Sequence, residues 1–200
     1  MSNIPLFFRC SETCAFRKMA ESDLPYISEI KAETWQNTHN ATIANADNQA
    51  DWFSSLSSDV NMPRTLFLTF VQMKEDRVYG FYKIANIDYI NRTADVGWDL
   101  VKAARGYGLG SVLVREGAAF CFEVLNLRRL TAEILTSNKP SQRCAEKAGF
   151  ICEGMKRNAV YLRGVGAVEA YAGSQVWGLL RDDFAIPEEL IDRASRPEEC

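Results

Sequence analysis

The sequence predicts an α/β domain built on a mixed sheet, and three observations carry that prediction. Helical and strand periodicities alternate along the chain. A short charged turn separates two strand patterns rich in aromatic and branched residues. One strand also runs through a glycine-rich turn directly into a long helical pattern. With 200 residues, 47% of them hydrophobic and 24% charged, the chain can bury the core of one domain.

The elements follow in order. Residues 16–19 read as a strand. Asp23, with Pro25 in the first turn, reads as a helix start, and Leu24, Ile27 and Ile30 keep a three-residue spacing behind it. A second helix is expected over 48–56. Strands are expected over 66–73 and 78–86, with 74–77 as their hairpin turn. A fourth strand over 93–101 puts Asp95, Gly97 and Asp99 on one face and Val96, Trp98 and Leu100 on the other. The segment 105–110 opens a helix to about 126, on which Arg115, Glu116, Glu123 and Asn126 form the solvated stripe. A fifth strand over 129–135, a helix over 138–148 and a last strand over 176–184 complete the domain. Residues 1–187 form one domain and 188–200 an acidic tail.

Composition excludes several classes. The longest nearly uncharged apolar stretch, 65–73, is far below the roughly 20 residues that a bilayer span needs, so no membrane partner is expected. The apolar run at 4–8 has neither a basic segment before it nor a small-residue cleavage site after it. That argues against a secretory signal and for a cytoplasmic protein. Five of the acids, Glu188, Glu189, Asp192, Glu198 and Glu199, lie in the tail beside Arg193 and Arg196, so the net charge of −3 belongs to the tail. A neutral domain argues against a nucleic-acid partner. The six cysteines form no CxxC pair and His39 has no cysteine near it, so no metal site and no disulfide framework is expected; Cys121 and Cys144 read as small buried hydrophobes.

The turn Arg105-Gly106-Tyr107-Gly108-Leu109-Gly110 carries the chemistry. Glycines let backbone N–H groups come close to a ligand, and a helix N-terminus adds partial positive charge, so the turn favours a pyrophosphate. The spacing is not that of a dinucleotide fold, and the Gly-Lys-Ser/Thr ending of a P-loop is missing.

Arg105-x-x-Gly108-x-Gly110 resembles the acyl-CoA signature of the GNAT family of N-acetyltransferases. About thirty residues on, Asn138-Lys139-Pro140-Ser141 followed by Glu146-Lys147-Ala148-Gly149-Phe150 resembles the second motif of that family. Asp95-Val96-Gly97-Trp98, Glu153-Gly154 and Val176-Trp177-Gly178-Leu179-Leu180 are similar to the subgroup that acetylates ribosomal-protein N-termini. The resemblance implies a mixed, mostly antiparallel sheet flanked by helices, with a V-shaped splay between the fourth and fifth strands. Acetyl-CoA would lie in the splay, with its pantetheine on the backbone of Leu100 and Val101. Its diphosphate would rest on Arg105, Gly106, Tyr107, Gly108, Leu109, Gly110 and Ser111. The partner would be an amine acceptor, either a protein N-terminus or a small-molecule amine, with a homodimer left open.

The tyrosine that protonates the leaving thiolate in many relatives is replaced here by Ala145. The resemblance assigns that role to Ser141, with Asn138 near the pantetheine; Asn138 also suits a helix N-cap. A lysine-like amine is neutral in only about 1 part in 2,500 at pH 7, so a base is needed. Asp95 is the first candidate, Glu133 the second and Asp99 the third. Trp35, Trp52 and Phe53 suit either core packing or an acceptor pocket. His39 reads as a loop residue facing the cleft, Lys147 as a surface charge or a phosphate contact, and 163–166 as a loop over the acceptor. The alternative reading is a CoA-binding regulatory module without turnover.

Overall fold

The apolar alternations become strands and the three-to-four spacings become helices. The computed structural model describes residues 6–11, 13–34, 46–55, 62–162 and 170–184. Its strands are β1 (Leu6–Arg9), β2 (Cys14–Lys18), β3 (Leu66–Gln72), β4 (Arg77–Asp88), β5 (Thr93–Leu100), β6 (Arg129–Leu135), β7 (Ile151–Leu162) and β8 (Ala170–Leu180). The helices are α1 (Leu24–Thr34), α2 (Ala46–Ser55), α3 (Leu109–Glu123) and α4 (Lys139–Lys147). One sheet has the order β1-β2-β3-β4-β5-β6-β8-β7, antiparallel except for the parallel pair β5/β6.

Both faces of the sheet are packed. On one, Phe16, Phe70, Tyr82 and Ile84 meet Leu113, Val114 and Ala118 of α3. On the other, Val71, Val78, Phe81 and Val101 meet Ile27 and Ile30 of α1, with Trp52 and Phe53 of α2 packed against them. Each large side chain contributes about 1.5–3 kcal/mol when fully buried. Gly117 lets α3 lie close to the sheet: a Cβ there would sit 2.4 Å from the Tyr82 ring.

The parallel pairing sets the shape that matters. β5 and β6 pair only as Thr93↔Arg129, Ala94↔Leu130 and Asp95↔Thr131, whereas β6 stays paired to β8 as far as Leu135↔Ser174. From Val96 onward β5 follows β4 and leaves β6. This is the V-shaped splay between the strands predicted fourth and fifth, which are β5 and β6 of the eight.

Several expectations need correction. β1 and β7 were not expected, and β8 begins at Ala170 rather than 176. Glu116 does not belong to a solvated stripe: it is 7% exposed, and the chain at β1 covers it, with Phe8 edge-on to Phe120 at 5.9 Å and Cys10 close to Glu116. Burial and the Glu116 charge both push the Cys10 thiol up. The helix after the glycines starts at Leu109, because a 3-10 turn over Lys102–Ala104 and the left-handed Gly108 come first. Asp23 closes a 3-10 turn before α1 and faces inward onto Arg17. The described cysteines Cys10, Cys14, Cys121, Cys144 and Cys152 are free thiols. Trp35, His39, the loop 163–166 and the tail 188–200 lie outside the described residues.

Candidate functional site at the sheet splay

Backbone polarity alternates along a strand, so the direction of one amide fixes that of its neighbours. The Val101 N–H donates to the Tyr79 carbonyl at 3.0 Å, and the Val101 carbonyl accepts from the Ala104 N–H at 2.9 Å. The Val101 N–H is therefore used inside the protein, and its carbonyl keeps one lone pair beside the bond from Ala104. Leu100 faces the other way, into the splay. Its carbonyl accepts from Arg105 Nε at 3.0 Å.

Arg105 is held on its other side by Glu33 near the end of α1, with Nη1 at 3.0 Å from Oε2; Lys102 Nζ lies 3.8 Å from the same carboxylate. Sequence reading missed Glu33, which is 72 residues from Arg105 and carries no motif. Beyond Arg105, Gly106 (φ +87°) and Gly108 (φ +79°) take left-handed conformations that L side chains rarely adopt, and a Cβ at either would point into open space. Gly108 caps α3, and the first N–H groups of a helix have no carbonyl four residues back to bond. Tyr107 is 79% exposed and Leu109 is packed against the core. The Ser111 N–H is already bonded to the Gly108 carbonyl at 3.1 Å. Gly110 has a different purpose: a Cβ there would lie 2.9 Å from Cys144 Sγ of α4. It lets two helices touch.

On the opposite wall, α4 starts beside the end of β6. Asn138 Oδ1 accepts from the Ser141 N–H at 3.2 Å, Pro140 sits in the first turn, and Gly149 (φ +94°) follows the last turn. Gln142 Nε2 donates to the Leu135 and Thr136 carbonyls, both at 3.0 Å, and fastens the helix to the strand. Ser141 is half-buried, whereas Ala145, one turn on, is fully buried.

The acids share one face. Asp95 and Thr131 are register partners, so Asp95, Asp99, Thr131 and Glu133 point to the same side of the sheet. Asp95 accepts from Asn86 Nδ2 at 2.8 Å, next to a bulge in β4. Glu133 is paired with Lys156 Nζ at 2.6 Å and accepts from Ser174 Oγ. Asp99 is exposed to the cleft, yet the protein around it partly desolvates its carboxyl and pushes it up to about 6, with Arg105 pulling the other way. Among the described residues no three His, Cys, Asp or Glu side chains gather as a metal site, and no helix is long and apolar enough to cross a membrane.

The sheet splits between β5 and β6 beside a glycine turn at a helix N-terminus. Residues 14–151 match the acetyltransferase (GNAT) domain family, and the chain belongs to that family. Over 86 residues it is 30% identical to YdaF of Bacillus subtilis (strain 168), provisionally assigned as a ribosomal N-acetyltransferase; the match covers 43% of this chain and 47% of that one. The chain thus spans about half the length of the first curated relatives it matches. The fold is that of RimL, a ribosomal L7/L12 alpha-N-protein acetyltransferase solved with CoA (TM-score 0.76, 18% identity, 88% of this chain and 98% of that one). It is also that of the spermidine N-acetyltransferase of Vibrio cholerae, solved with CoA and spermine (TM-score 0.75, 15% identity, 86% and 98%).

Proposed function

We propose that this protein is an acetyl-CoA-dependent N-acetyltransferase that moves the acetyl group directly to a primary amine in a ternary complex, the amine belonging to a protein N-terminus or a small molecule. The observation that carries this reading is the splay between β5 and β6, with the Gly106–Gly108 turn at its mouth. The turn has the open space, the left-handed glycines and the helix N-terminus that a diphosphate needs. Acetyl-CoA supplies a thioester, an acetyl group already activated for transfer.

The chain's own residues would divide the remaining work. Arg105 and the amides from Gly106 to Gly110 hold the diphosphate, and Leu100 offers its carbonyl to the pantetheine. Asp99 accepts the proton that the amine gives up, because of the three acids that β5 and β6 carry on this face it is the one without a hydrogen-bonded partner among the described residues. Asp95 and Glu133, ranked above it from sequence, are held by Asn86 and by Lys156 with Ser174. Ser141, at the start of α4, donates a proton to the departing sulphur.

Purified protein mixed with acetyl-CoA and a panel of amines should release free thiol, and acetyl-CoA should raise its melting temperature. Stabilisation without thiol release from any amine would favour a CoA-binding module. Stabilisation by ATP or NAD instead would remove the acyl-CoA reading. Ser141→Ala is expected to lower kcat about 10- to 1,000-fold with little change in acetyl-CoA affinity. Full activity would mean that water or the acceptor protonates the thiolate. Asn138→Ala should instead cost about 1 kcal/mol of stability through the lost cap, read as a lower melting temperature.

The base has its own signature. A carboxyl titrating at about 6 must be ionised to accept a proton, so kcat/KM should rise with pH through that value and level off above it. Asp99→Asn should remove this acidic limb while leaving the melting temperature near that of the parent. Survival of the limb in Asp99→Asn with its loss in Asp95→Asn would return the role to Asp95.

A further inference from the structure

Two solved enzymes that share this fold, the spermidine N-acetyltransferase and RimL, take very different amines, a polycation in one and a protein N-terminus in the other. The charges on the acceptor side of the sheet bear on which kind of amine this chain accepts. A polyamine needs several carboxylates that are not already neutralised, one for each ammonium it brings. Among the described residues of this face, three strand carboxylates are already occupied. Glu133 is paired with Lys156 at 2.6 Å and also holds Ser174; Glu153 is clasped by both terminal nitrogens of Arg129; Asp95 is bonded to Asn86. Asp99 is the acid of this set left to meet an incoming ammonium. Beyond the end of β6 there is an open groove of about 860 Å³, lined by Thr136, Met155, Lys156, Arg157, Asn158 and Gly173. Its charged lining is cationic. Lys156 belongs both to this groove and to the pair with Glu133, and the register shift between Lys156 and Val160 sets this stretch of β7 off from β8.

We propose that Lys156, by neutralising Glu133 and with Arg157 beside it, sets acceptor choice against polycationic amines and for an acceptor with a single ammonium, the N-terminus of a peptide. This rests on the acetyltransferase reading for the position of the acceptor face. It makes Lys156 a specificity-determining residue that acts by occupying a carboxylate which a polyamine would otherwise use.

The test is calorimetric binding, so that it does not depend on turnover. Spermine and a tetrapeptide with a free N-terminus and uncharged side chains are titrated into the full chain with and without saturating CoA. The wild-type protein should bind spermine no more tightly than the tetrapeptide. In Lys156→Gln the spermine-to-peptide affinity ratio should rise at least about tenfold, the scale of relieving one like-charge contact near a surface. Lys156→Arg should keep the wild-type ratio. The gain in Lys156→Gln should shrink in 0.5 M NaCl, which a packing defect would not show. Wild-type protein that binds spermine more tightly than the peptide overturns the proposal. So does a ratio in Lys156→Gln equal to that of the parent, including failure of both proteins to bind spermine. Thiol release from the same two amines is read separately: its absence counts against the acetyltransferase reading, while the binding ratio still decides the role of Lys156.

Discussion

Gly108→Val is expected to remove measurable acetyl-CoA binding, at a loss of at least about 100-fold. Two effects combine. Gly108 sits at φ +79° as the cap of α3, and a branched side chain there strains the backbone by about 1–2 kcal/mol. The turn then relaxes away from its left-handed conformation, and the new side chain stands in the open space a diphosphate would fill. Hydrogen bonds to charged groups are each worth about 1.5–3 kcal/mol, so losing two of them already weakens binding by roughly two orders of magnitude or more. Isothermal titration with acetyl-CoA reads the loss directly, and binding as tight as the parent's would place the cofactor elsewhere. Gly110→Val separates binding from folding. The physical reason for a glycine at that position is Cys144 Sγ at 2.9 Å from the added Cβ, so this variant should lose melting temperature first and affinity only as a consequence.

The difference between these two glycines illustrates what a sequence makes legible. Both stand in one motif, which locates the turn and the V-shaped sheet but opens the helix too early, since α3 begins at Leu109. It does not tell that Gly108 faces space and Gly110 faces α4, because Cys144 is 34 residues away. Local chemistry was readable: the Asn138 cap, Pro140, the terminator Gly149 and the alternation that puts Asp95 and Asp99 on one face of β5 all act within a few residues. Long-range partners were not. β7 escaped because Ile151 through Ala159 are all exposed and mix charged, apolar and glycine residues, so no period-two burial pattern marks the strand. β1 has four residues, too few for a period to show, and the burial of Glu116 went unseen with it. The order of the candidate bases depended on Asn86, Lys156 and Ser174, none of which adjoins the acid it holds. The pairing of the Val101 N–H with Tyr79 was hidden for a subtler reason: periodicity gives the face of a side chain, while the use of an amide depends on which neighbouring strand it meets.

Asp23→Asn is expected to destabilise the fold by about 3–5 kcal/mol, the usual cost of breaking a buried ion pair by removing one partner. For a chain of this size that is a fall in melting temperature of roughly 6–20 °C. Arg17 and Asp23 are 3% and 1% exposed and form a two-pronged pair, Nη1 to Oδ2 at 2.7 Å and Nη2 to Oδ1 at 2.8 Å. The same carboxylate accepts from Thr69 Oγ1 at 2.8 Å and from the Ala20 N–H at 2.9 Å, so one anion ties β2, β3 and the entry to α1 together. Asp76 at 2.8 Å from Arg17 Nε adds the β3–β4 turn, and the pairing holds the guanidinium well above its ordinary range. Removing the charge while keeping the shape leaves a guanidinium in the core with Asp76 as its remaining acid. An apolar pair, Arg17→Met with Asp23→Leu, should therefore melt above Asp23→Leu alone, since it no longer strands the cation, yet below the parent, since the Thr69 hydroxyl and the Ala20 amide lose their acceptor. If Asp23→Asn lowered the melting temperature by less than about 2 °C, the anchoring of α1, and with it the position of Glu33 against Arg105 at the mouth of the splay, would have to come from the packing of Ile27 and Ile30 alone.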